Sequence, residues 1–176
     1  MNDEQAAPIH HVFTLGDLSQ AGSRIDVSAN SDELARLAHW AGVDAVRAFG
    51  AQVELRRLSR TQFAFEAELE ADIVQSCVVT LEPVATHIAK HIARELHFSP
   101  HPHAESGELT LSAGDEDVPE EISSLDYDLA APLLEEFLLA IDPYPRKEGV
   151  AFQPPAQPAE PPESPFAVLK RLNEPG

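Results

Sequence analysis

The chain has 176 residues, enough for one domain with a proper core. Its 12 lysines and arginines stand against 30 aspartates and glutamates, a net charge of −18. That balance argues against unaided binding to a nucleic-acid backbone or to an anionic membrane, both of which need clustered Lys and Arg. The distribution says more than the total. Residues 1–100 carry 14 acids and 8 bases, residues 101–142 carry 12 acids and no Lys or Arg, and residues 143–176 carry 4 of each. No apolar run is long enough to span a bilayer, and Met1 to His10 lacks the order of a signal peptide. One cysteine, Cys77, supports neither an internal disulfide nor a Cys-rich zinc site. The reading is a soluble, acidic, cytoplasmic protein.

Residues 1–9 read as a flexible N-terminus. Residues 9–28 read as short strands around a turn at Ala21-Gly22-Ser23, with Val12, Phe13, Leu15, Leu18, Ile25 and Val27 as inward anchors. A helix follows: Asn30 or Ser31 caps it, Asp32 and Glu33 suit its positive end, and Leu34, Leu37, Ala38 and Ala41 recur at helical spacing. Gly42 ends it. Val43 to Phe49, then Val53, Leu55 and Arg57, then Phe63, Phe65, Ala67 and Leu69 alternate as strands do. Glu66, Glu68 and Glu70 take the opposite, wet face. Asp72 to Leu81 reads as a short central strand.

Val84 to Phe98 fits two periods at once. Ile88, Ile92 and Leu96 recur every four residues, and all are also even positions beside Val84 and Phe98, so helix and strand both stand on periodicity. Residues 99–124 read as an acidic mobile loop with one short strand near Leu109 to Leu111. Leu125 to Ile141 reads as the clearest helix, with Pro132 in its first turns and Leu129, Leu133, Leu134, Phe137, Leu138 and Ile141 on one stripe. Residues 143–163 form a Pro-rich linker, and residues 164–176 carry the apolar cluster Pro165-Phe166-Ala167-Val168-Leu169.

Candidate chemistry is sparse. His87 and His91 are spaced as zinc ligands on a helix are, yet no acid follows in a metallohydrolase pattern, and solvent-facing histidines are commoner. Cys77 meets the loosest rule for a nucleophile, with no cation or helix N-terminus in view to lower its pKa; a small buried hydrophobe within a β run is the commoner case. No phosphate loop, Ser/His/Asp arrangement or paired carboxylates stand in a recognisable frame. The expectation is therefore no catalytic residue, no metal and no cofactor. Asp126, Asp128, Glu135 and Glu136 offer acids to a basic partner. The pentad Pro165 to Leu169 needs burial, on its own domain or on another protein.

Three blocks carry a resemblance. QSCVVTLEPV from Gln75 to Val84, centred on Cys77, Leu81, Glu82 and Pro83, resembles the signature of the YceD family in its alphaproteobacterial form. LDYDLAAPLLEEFLLAIDPYPR from Leu125 to Arg146 is similar to the family's acidic, leucine-rich helix and turn. SPFAVLKRL from Ser164 to Leu172 is similar to its C-terminal block. Other members carry a second cysteine where Thr80 stands, so a thiol pair does not carry over. The resemblance reads 84–98 as a strand ending at Phe98-Ser99-Pro100. It implies a non-enzymatic role in synthesis, processing or stability of large-subunit (23S) ribosomal RNA and a basic ribosomal protein or assembly factor as partner. RNA would be reached indirectly, with no membrane and no small-molecule substrate. The alternatives are an adaptor acting through its C-terminal segment, or a thiol- or His-dependent hydrolase.

The expected fold is α+β, with residues 10–142 forming one domain. An antiparallel sheet, with closure into a barrel as one option, carries two main helices and is followed by a Pro-rich irregular tail.

Overall fold

The computed structural model describes residues 7–100 and 119–151. The fold is α+β: among the described residues, two helices and a two-stranded ribbon pack on one face of a five-stranded sheet that does not close into a barrel. β1 (Val12–Thr14) runs into a single 3-10 turn, Leu15–Asp17, and a turn at Ser19–Gly22 leads to β2 (Ser23–Ser28). Gly22 has φ +82°, and a Cβ there would stand 2.7 Å from the Leu55 carbonyl oxygen, so this turn needs glycine. Both strands read from residues 9–28 are present, but they do not pair with each other.

Helix α1 (Ser31–Ala41) starts and stops where its end signals place it. The Asn30 side chain accepts from the Asp32 and Glu33 N–H groups, Glu33 reaches back to the Asn30 N–H, and Gly42 closes the helix at φ 68°. Next come three long strands: β3 (Ala45–Arg57), β4 (Gln62–Ser76) and β5 (Pro83–Phe98). They pair antiparallel over almost their full length. A bulge between Val46 and Ala48 switches the parity of β3, so Val46 and then Phe49, Ala51, Val53 and Leu55 face inward. β6 (Glu120–Ile122) lies parallel to the end of β5, giving the order β2-β3-β4-β5-β6. β7 (Asp126–Asp128) pairs with β1, and α2 (Ala130–Ala140) follows.

Three expectations are corrected. Asp72 to Leu81 is not a separate strand: Asp72–Ser76 is the end of β4, and Cys77 to Leu81 turns, because the Cys77 N–H donates to the Glu82 carbonyl and closes a hairpin. The second helix begins at Ala130 rather than near 126, since Asp126 to Asp128 pair with Val12 to Thr14. Between Ser99 and Ser124, the strand β6 was not anticipated, and the expected strand near Leu109 to Leu111 lies outside the described residues. The stretch 84–98 is strand, as the resemblance implied.

Both helices cover the same face. Leu37 of α1, which packs on β3, and Leu133, Leu134 and Phe137 of α2, which packs on β4 and β5, join one buried core with the odd positions of β4: Phe63, Phe65, Ala67, Leu69, Ala71 and Ile73. Phe49 meets Phe137 edge to face at 5.4 Å, and Phe65 meets Tyr127 in a T-shaped contact at 6.3 Å. The even positions of β4 and their register partners face away from both helices.

Candidate functional site

The hairpin loop between β4 and β5 carries the first candidate residues, and it is stitched to a segment far along the chain. The Val78 N–H donates to the Pro145 carbonyl at 2.9 Å, and the Lys147 N–H donates to Cys77 Sγ at 3.4 Å. The Lys147 ammonium reaches Glu82 at 3.1 Å, and the Gln75 side-chain amide donates to the Asp142 carbonyl at 2.9 Å. The Gln75 Oε1 is buried and lacks a partner among the described residues, so this clamp carries one polar defect.

Cys77 is fully buried, in the turn rather than within the strand. Its thiol is lowered to about 6, first by the Thr80 hydroxyl, then by the N–H groups of Lys147, Thr80 and Val79, against burial, which raises it. Neither a cation nor a helix N-terminus is among these causes; hydrogen bonds do the lowering, and the signal that sequence reasoning missed was local. Thr80 occupies the position of the second cysteine of the resembling pattern, and its hydroxyl serves the sulfur as a hydrogen-bond partner. Glu82 is held below the usual carboxylate range by the Lys147 ammonium, with help from Thr80. Pro83 opens β5.

Leu81 is the odd residue of this loop. It has φ 61°, the one non-glycine residue with positive φ among those described, and its side chain is 78% exposed. The left-handed conformation costs a residue with a Cβ about 1–2 kcal/mol. Val78 at 47% and Tyr144 at 70% exposure stand on the two segments that the clamp joins.

The acids expected to face a partner are engaged within the domain. Asp126 accepts from the Thr14 hydroxyl at 2.7 Å. Asp128 accepts from the His11 N–H at 2.8 Å and the Ala130 N–H at 3.0 Å, and pairs with His10 at 2.7 Å. Burial pushes Asp128 up, but the bonds from His11, His10 and Ala130 outweigh it and leave its pKa below the ordinary value. Glu135 lies 2.7 Å and Glu136 3.8 Å from Arg94, which also reaches Glu120 at 3.5 Å. Desolvation lowers the pKa of Arg94, yet Glu135 and Glu120 more than compensate and raise it. The Tyr127 hydroxyl donates to Glu120, and burial with that neighbouring charge pushes its pKa up. Pro165, Phe166, Ala167, Val168 and Leu169 lie outside the described residues.

The open face of the sheet is the feature sequence reasoning saw only as a wet side. Glu66, Glu68, Glu70 and Asp72 of β4 stand beside Glu54 of β3 and in register with Ala93, His91, Ala89 and His87 of β5. Arg56 pairs with Glu66 and Arg24 with Glu54, while His87 meets Asp72 at 2.9 Å and His91 meets Glu68 at 2.8 Å. Ala48 and Gly50 leave a shallow depression of about 530 Å³ bordered by Glu68, Glu70, Asp72 and His87. The two histidines thus sit in cross-strand pairs on a strand, and the helical zinc geometry does not arise.

A family model described as large ribosomal RNA subunit accumulation protein YceD matches residues 65–173, more than half of the chain. The chain belongs to the YceD family. The YceD match begins within β4 and takes in the Cys77 loop, β5, α2 and the Pro145 to Lys147 side of the clamp. It runs on to residue 173, beyond the last described residue, so the pentad from Pro165 to Leu169 falls within the YceD region. The family's description concerns an RNA's accumulation and names no reaction. Comparison with curated proteins and with solved structures returned no match. No helix among the described residues is long and apolar enough to cross a membrane.

Proposed function

We propose that this protein is a non-enzymatic, cytoplasmic factor that supports synthesis, processing or stability of large-subunit ribosomal RNA. It acts through a basic ribosomal or assembly protein rather than through bare RNA. The observation that carries the choice of partner is the sheet face that no element among the described residues covers. Glu54, Glu66, Glu68, Glu70 and Asp72 stand there against Arg24 and Arg56, so a phosphate backbone is repelled and a Lys- and Arg-rich segment is attracted. Family membership supplies the link to ribosomal RNA. Asp126, Asp128, Glu135 and Glu136 contribute less to such a surface, because each already serves a neighbour in the fold.

The test is capture from nuclease-treated lysate at low and at high salt. The expected result is a basic large-subunit or assembly protein, retained after RNA digestion and lost as salt rises. Recovery of naked ribosomal RNA by the purified protein, with no protein bridge, overturns the reading.

A further inference from the structure

We propose that the exposed apolar surface of the β4–β5 loop, Val78 and Leu81 with Tyr144 beside them, is the docking site for this chain's own segment Pro165 to Leu169. The inference does not depend on the ribosomal reading.

Four observations converge on this pairing. Leu81 combines a backbone that glycine or asparagine would adopt more easily with an apolar side chain 78% exposed. A polar or glycine turn would serve the hairpin better, so the side chain has work beyond closing the loop. Val78 and Tyr144 are exposed as well, on the two segments that the Val78 to Pro145 hydrogen bond joins.

Connectivity names the occupant. The chain is held at this loop by the Lys147 N–H on Cys77 Sγ, and the last described residue, Ala151, follows four positions later. Those four residues span at most about 14 Å. Pro165 lies 14 positions beyond Ala151 (165 − 151), and a Pro-rich stretch of that length reaches about 43 Å. The pentad is therefore tethered to the same chain that the clamp holds at the loop, and a linker of that length is long enough to turn back to it. Charge agrees: Lys170 and Arg171 follow the pentad, while Asp44, which accepts from the Ser76 hydroxyl, and Asp142 flank the loop.

The experiment uses the full chain with the photo-crosslinker benzoylphenylalanine in place of Phe166, irradiated and mapped by mass spectrometry. Crosslinks within one chain to residues 78–81 or to Tyr144 are expected. Crosslinks only between chains would assign the surface to a second copy. Those, crosslinks elsewhere in the chain, or none at all, overturn the proposal. A thermodynamic cycle reads the same contact independently, with folding checked by circular dichroism. Leu81→Gly raises the melting temperature by a few degrees in a Phe166→Asp chain, where relief of the backbone is all that changes. In the wild-type chain the gain is smaller or reversed, because the docked contact is lost. Equal shifts in the two backgrounds overturn the proposal.

Discussion

The backbone N–H of Lys147 donates to the Sγ of Cys77 at 3.4 Å, joining residues 70 positions apart across the mouth of the β4–β5 hairpin. The Thr80 hydroxyl first, and then this N–H, acidify the sulfur, and the fold shuts it in. A thiol lowered to about 6 normally reacts quickly, because the thiolate is the nucleophile. Here no part of Cys77 is exposed, so a reagent must wait for the loop to open. Iodoacetamide at pH 8 should therefore modify the native protein far more slowly than the urea-unfolded chain. Faster modification of the native form would restore the thiol-enzyme alternative. Cys77→Ala should lower the melting temperature, since the Lys147 N–H loses its acceptor.

The sequence told most about elements whose signals are local. Asn30, Glu33 and Gly42 mark the ends of α1 through bonds that span three or four residues, so its limits were legible. β5 was ambiguous because Ile88, Ile92 and Leu96 satisfy both periods, and only pairing with β4 along its whole length decides for strand. The start of α2 was misread for the opposite reason. Leu129 fits the helical stripe and the helix was read from Leu125, but the residues between them pair with Val12 to Thr14, more than 100 positions away, and no local pattern reports that. The same holds for the site. Cys77, Glu82 and Pro83 were visible as a block, whereas Lys147 and Arg94 gain their meaning only from the contacts that tertiary folding makes.

Arg94 is the only cation within 4 Å of Glu120, Glu135 and Glu136 among the described residues. Its removal leaves three carboxylates converging at the junction of β5, β6 and α2. Arg94→Met should destabilise the fold by about 1–3 kcal/mol in low salt, discounted toward the lower figure because the cluster is partly solvated. The remaining repulsion is screened by ions, so the loss should shrink in about 1 M salt, where the Debye length is about 3 Å. Urea titrations of wild type and variant at both ionic strengths check this. A loss unaffected by salt would point to packing of the arginine stem instead.

Asp128 ties the first residues of the fold to the start of α2 through His10, His11 and Ala130. Its folded pKa lies below the unfolded value, so its contribution is fully present above the ordinary carboxylate pKa of about 3.9 and is lost as pH falls through the folded one. Asp128→Ala should cost about 1–2 kcal/mol near pH 7, the range of a lost cap in a partly exposed position. The gap between wild type and variant should persist down to about pH 5 and then narrow steadily below about pH 4. Denaturant titrations at pH 7, 5 and 3 decide it; a gap that widens on acidification has the wrong sign.

The open sheet face gives the sharpest separation between a partner surface and a part of the fold. Glu68 and Glu70 point away from both helices, so replacing them should disturb neither the core nor the helix packing. Glu68 loses one exposed pair with His91, worth well under about 1 kcal/mol. Glu68→Lys with Glu70→Lys changes the charge of the face by four units in favour of the positive, from two glutamates to two lysines. A basic partner should then bind with a slower association rate and a flatter salt dependence, at an almost unchanged melting temperature. The companion pair Glu135→Gln and Glu136→Gln reverses that pattern: stability falls as Arg94 loses its neighbours, while partner binding holds. If the α2 pair abolishes binding and the β4 pair leaves it intact, the acidic surface that matters lies on the helix and not on the sheet.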